Sequence, residues 1–133
     1  MDSSTQYACG IVAIPFAQGG ADEFARRVAA EAARQDAVFA LLFHSLSAFH
    51  TDALAAAMRE HAPGLPHAGC TTAGELLPSG ISDGEALALL LPADRFTVVA
   101  AMIERIRSTG MDGIAASVER AYRDTIANHR PRR

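Results

Sequence analysis

The chain has no lysine, no tryptophan and only two cysteines, and none of its apolar runs approaches the length that spans a bilayer. Each absence removes chemistry. All 12 cationic residues are arginine, so a Schiff-base amine, a phosphate-loop lysine and a lysine general base have no candidate. Cys9 and Cys70 stand far apart and no Cys-x-x-Cys occurs, which argues against a disulfide framework and a structural zinc site. A reducing cytoplasm is the expected compartment, and a membrane is not an expected partner. The formal net charge of −3 leaves no general surface for nucleic acid, because phosphate binding needs clustered positive charge. There is also no repeat of fixed period and no coiled-coil heptad.

What is there is apolar and compactly patterned. Half of the 133 residues are hydrophobic and 20% are charged, enough for one hydrophobic core. We expect a single domain over residues 1–128, with the basic His129-Arg130-Pro131-Arg132-Arg133 as a mobile tail.

Tyr7 to Ile14 reads as a buried strand closed by Pro15. From Ala21 the period becomes helical, with Phe24, Val28 and Ala32 on one face, Asp22 and Glu23 in the first turn, and an end near Gln35. Ala37 to Phe43 is continuously apolar, as expected of a strand covered on both faces. Thr51 is a candidate cap for a second helix that carries Leu54, Met58 and His61 and stops at Pro63-Gly64. Leu65 to Thr72 follows as a third strand. The alternation predicts an α/β fold, a partly parallel sheet from consecutive βαβ units. Turn chemistry at Pro78-Ser79-Gly80 and Asp83-Gly84 then brackets apolar stretches within Glu85 to Ile103, expected as antiparallel edge strands. Thr109 and Asp112 suggest a capping pair for a last helix, with Ile114, Val118, Tyr122 and Ile126 on one face to about Asn128.

In an open parallel sheet ligands bind beyond the carboxyl ends of the strands. Three clusters follow the expected strands: Phe16 to Gly20, His44 to His50, and Gly69-Cys70-Thr71-Thr72-Ala73-Gly74-Glu75. Their convergence would gather a thiol, hydroxyls, two imidazoles and a carboxylate, so Cys70, Thr71, Thr72, Glu75, His44 and His50 are the candidate ligand-binding residues. Cys70 is a nucleophile if a histidine activates it, although free cysteine more often packs as a small hydrophobe. His67, three residues earlier in a strand, points to the opposite face. His44 and His50, six apart, match no zinc spacing. A single histidine among Phe39, Phe43, Leu46 and Phe49 is compatible with axial haem ligation, and equally with ordinary core. His61 fits the helix dipole, Glu23 and Arg27 fit a surface i, i+4 pair, and Gly19-Gly20 is a weak anion signal. No G-x-S-x-G elbow or phosphate loop is present.

The heptapeptide Gly69-Cys70-Thr71-Thr72-Ala73-Gly74-Glu75 resembles the G-C-[ST]-T-A-G-E core of the FIST N-terminal sensory domain, and the order of elements over about residues 20 to 128 is compatible with it. That resemblance implies a non-catalytic bacterial sensor of small ligands that signals to a histidine kinase, chemoreceptor or cyclic-dinucleotide enzyme; some similar proteins bind haem and respond to nitric oxide. Members of the family continue into further α/β structure and a second domain. The chain is therefore read as a fragment or a minimal version, and an uncovered apolar surface predicts a homo-oligomer. Two alternatives stand beside the sensor. One is a thiol enzyme using Cys70, with Thr71, Thr72 or Glu75 polarising its substrate, and the other is an interaction module whose sheet edge pairs with another chain.

Overall fold

Small residues in the centre of an apolar sheet let helices press close to it, and this pattern organises the first part of the chain. The computed structural model describes residues 3–77, 80–82 and 84–128, without the side chains of 75–77, 81 and 82. It divides into two compact units, Met1–Phe96 and Thr97–Arg133. The expected tail, His129 to Arg133, lies outside the described residues, as do Pro78, Ser79 and Asp83 of the expected turns.

The first unit contains β1 (Thr5–Gln6), β2 (Val12–Phe16), α1 (Ala21–Gln35), β3 (Ala37–Ser45), α2 (Thr51–His61), β4 (His67–Thr72), the short hairpin β5 (Glu75–Leu77) and β6 (Gly80–Ser82), and β7 (Ala86–Pro92). Five strands form one sheet in the order β1-β2-β7-β3-β4. The fold class is thus mixed α/β, as the sequence indicates. Among the described strands only β3 and β4 pair in parallel, in a register that sets Leu42 beside Gly69, Phe43 beside Cys70 and His44 beside Thr71.

One expectation changes in an instructive way. The strand within Glu85 to Ile103 is not at the edge: β7 lies between β2 and β3 and is antiparallel to both. Because two reversals cancel, β2 still runs in the same direction as β3 and β4. Crossovers β2-α1-β3 and β3-α2-β4 therefore advance across the sheet in one sense, which sets both helices on the same face, where α1 packs against α2. Under them lie Ala40, Ala86 and Ala88, fully buried, with Leu42 and Leu90.

The opposite face is less enclosed. Ala13 and Leu87 are buried there, but Phe43, Leu89 and Leu41 are only partly covered. The expectation that Ala37 to Phe43 is covered on both faces holds in part: Ala40, Leu42 and His44 are deepest and Phe39 is buried, but Leu41 and Phe43 on the other face are only partly covered. Strand β2 begins later than expected, since Tyr7 to Gly10 form a turn closed by the Gly10 N–H on the Tyr7 carbonyl at 2.8 Å. Pro15 lies inside β2 rather than ending it. Strand β1 reaches only Val12 and Ala13, so that flank of β2 has no ladder at Pro15, a place where a missing donor is tolerated.

The apolar stretch expected as a strand from Phe96 to Ile103, which apart from Phe96 belongs to the second unit, forms no strand; Val98, Val99 and Ile103 have strand propensity but pair with none of the described strands, and propensity without pairing is weak. Helix α3 (Ile106–Asn128) starts earlier than expected and is broken at Gly110, whose φ of 69° and ψ of 168° suit glycine alone. Thr109 does not cap it. Its hydroxyl donates instead to the carbonyls of Glu104 and Arg105, at 2.9 and 3.1 Å. None of the described residues of α3 is buried, and Val118, Tyr122 and Ile126 are exposed. None of the helices is long and apolar enough to cross a membrane, among the described residues.

Candidate functional site

Gly69 lets β4 approach β3 closely beneath α2. A Cβ at that position would sit 2.4 Å from the Leu42 carbonyl oxygen, so a side chain there would force the two strands apart. Beside this contact a groove of about 110 Å³ runs between α2 and β4. Leu42, Leu54, Ala55 and Met58 make its apolar walls, Thr51, His44 and His67 supply polar atoms, and Gly69 and Cys70 of β4 complete the lining.

His44 is the buried polar group of this groove, 2% exposed. Its Nδ1 lies 3.3 Å from the Ser45 carbonyl oxygen, which only accepts, so Nδ1 carries the proton. In the neutral ring Nε2 is then the acceptor, and the Thr51 hydroxyl stands 3.4 Å from it. Both contacts are long, and neither satisfies the ring strongly. Phe49 holds the imidazole by stacking, with centroids 5.1 Å apart. Thr51 was expected to cap α2; the N-cap position belongs to His50, and Thr51 turns its hydroxyl to His44 instead. His67 is fixed by its Nδ1 donating to the Leu65 carbonyl at 2.9 Å.

The structure brings His44 and Cys70 to this groove and sets Thr71 next to His44 in the sheet. His50 is exposed and does not line it, nor does Thr72, and the Glu75 side chain lies outside the described atoms. Cys70 is exposed, and strand alternation directs its Cβ to the Phe43 face, opposite His44 and His67. Thr51, Leu54, Ala55 and Met58 were not singled out as site residues, although their 3 and 4 spacing marks one helix face.

Haem does not fit here. The apolar residues expected around it are divided: Phe39 and Phe43 face the other side of the sheet from His44, Leu46 is exposed, and Phe49 already covers the imidazole. The groove is also far below the roughly 300–1,000 Å³ of pockets that hold drug-sized ligands. Two larger depressions, of about 480 and 340 Å³, open at the other end of β3, around Asp36; neither contains His44, His50 or Cys70.

Among surface charges, the first-turn pair is Asp22 with Arg26 rather than the expected Glu23 with Arg27. Asp22 also meets His61 at 2.5 Å. The hydrogen bond from His61, aided by Arg26, holds the Asp22 carboxyl below its ordinary range.

A family model, the FIST N domain, matches residues 38–132. The chain belongs to the FIST N family. This is a family of sensory domains in signal transduction, and the match takes in the heptapeptide, the groove and α3. Strands β1 and β2 and helix α1 precede the matched region, yet this FIST N domain uses β2 to pair with β7 and α1 to pack on α2. No curated protein and no solved structure matches it.

Proposed function

We propose that this FIST N domain senses a small, mostly apolar molecule bound in the groove between α2 and β4, with His44 as its polar contact, and passes the signal to a partner such as a histidine kinase or a cyclic-dinucleotide enzyme. A single observation carries the reading: a buried imidazole with only long hydrogen bonds faces a cavity whose other walls are Leu42, Leu54, Ala55 and Met58. A cavity of about 150 Å³ lined by aliphatic and aromatic groups takes up benzene, so a groove of about 110 Å³ suits a ligand of one small ring or fewer atoms. One hydrogen-bonding atom on such a ligand would strengthen the satisfaction of His44, which supplies selectivity over purely apolar molecules.

The test is an NMR titration of the full chain with phenol, and with toluene as the probe that lacks the polar atom. Phenol is expected to shift the resonances of Leu54, Met58 and the His44 ring and to bind more tightly than toluene. Ala55→Leu, which fills the groove from the partly exposed side of α2, should remove both responses. Shifts that survive Ala55→Leu, or no saturable shift with either probe, would count against the site.

A further inference from the structure

The first turn of α1 and the last turn of α2 meet on the surface. Asp22 comes from α1, and Glu60 and His61 come from α2. One donor atom from each of these three side chains lies within 4.8 Å of the others. Asp22 Oδ1 and His61 Nε2 are 2.5 Å apart, while Oδ2 of the same carboxylate is held by Arg26. The carboxylate is thereby oriented, with one oxygen kept toward the imidazole.

We propose that Asp22, Glu60 and His61 form a site for a zinc-class divalent ion that ties α1 to α2. The donor set of one imidazole nitrogen and two carboxylate oxygens suits that ion, whose bonds to such atoms are about 2.0–2.2 Å. Tetrahedral bonds of that length put ligand atoms about 3.3–3.5 Å apart. Insertion between Asp22 and His61 therefore requires an opening of under about 1 Å, and Glu60, exposed on a long side chain, closes toward the ion. The last turn of α2 favours a cation through its dipole, and Asp22 offsets the opposite tendency at the start of α1. Three protein ligands leave a position for water.

The test is calorimetric titration of the full chain with Zn²⁺, together with optical spectra of the Co²⁺ form. One equivalent is expected to bind, with visible Co²⁺ bands of low coordination number and without the thiolate charge-transfer band that Cys9 or Cys70 would add. His61→Ala and Glu60→Gln should each weaken binding at least about tenfold. Glu60→Gln keeps the Asp22–His61 contact, so its effect does not depend on a change in folding. Absence of saturable binding, a thiolate band, or affinity retained in either variant would overturn the assignment.

Discussion

His44 lies flat against Phe49, with ring centroids 5.1 Å apart and planes inclined by 21°. Phe49 in turn contacts Phe24 of α1 at 5.6 Å, and Phe24 contacts Phe16 at the end of β2 at 5.2 Å. The imidazole of the groove is thus the last member of an aromatic row that joins β2, α1 and the loop after β3. Phe49→Ala removes a nearly buried ring from the middle of that row, and we expect a loss of about 3–5 kcal/mol in urea denaturation. The His44 ring resonances should also broaden in the folded variant. A loss below about 1 kcal/mol with unchanged His44 signals would mean that Phe49 does not hold the imidazole.

Gly69 yields a sharper prediction because the obstruction is backbone. With the Leu42 oxygen 2.4 Å from the added Cβ, Gly69→Ala must shift β4 outward, a strain of the kind that overpacking makes cost about 1–3 kcal/mol. The parallel register that aligns Thr71 with His44 would be disturbed along with it. Gly64→Ala is the control, since nothing lies within 4 Å of a Cβ there. Thermal unfolding that gives the two variants equal midpoints would refute this role for Gly69.

These residues also show how far the sequence could be read. The directions of β2, β3 and β4 were legible because apolar runs alternate with helical periods, and that periodicity is local. The insertion of β7 was not, because strand order depends on long-range pairing. A clue did exist: Ala86 to Leu91 is continuously apolar, which suits a central strand better than the edge position its flanking turns suggested. His44 and Cys70 were legible as residues toward the ends of parallel neighbours, and both line the groove. Leu54 and Met58 were read only as one face of the second helix, and Ala55 was not singled out, since sequence spacing distinguishes a helix face but not whether the opposing strand leaves a groove against it. Gly69 was legible as part of the third strand, but not the reason a glycine stands there, which is the close approach of β4 to Leu42.

Acid should destabilise the fold through two carboxylates on α1, and the sign follows from their environments. Asp22 titrates below its ordinary range because of the hydrogen bond from His61 and the neighbouring Arg26. At Glu31 partial burial pushes the other way, but hydrogen bonds from Arg34, Gln35 and Ser4 and the charge of Arg34 outweigh it, so its carboxyl is also lowered. A carboxyl lowered in the folded state is protonated first in the unfolded chain, which then binds more protons, so stability rises with pH across that window. The contribution is present above about pH 4–4.5, the ordinary carboxylate range, and is lost as pH falls through the lower folded values. Melting temperatures measured from pH 7 to pH 3 should therefore fall steeply only at the acid end. Combining Asp22→Asn with Glu31→Gln should flatten that limb while lowering the neutral plateau, and added salt should shrink the Asp22 share more, because that side chain is the more exposed of the two. An acid limb of the same steepness in the double variant would show that these two carboxylates do not carry the pH dependence.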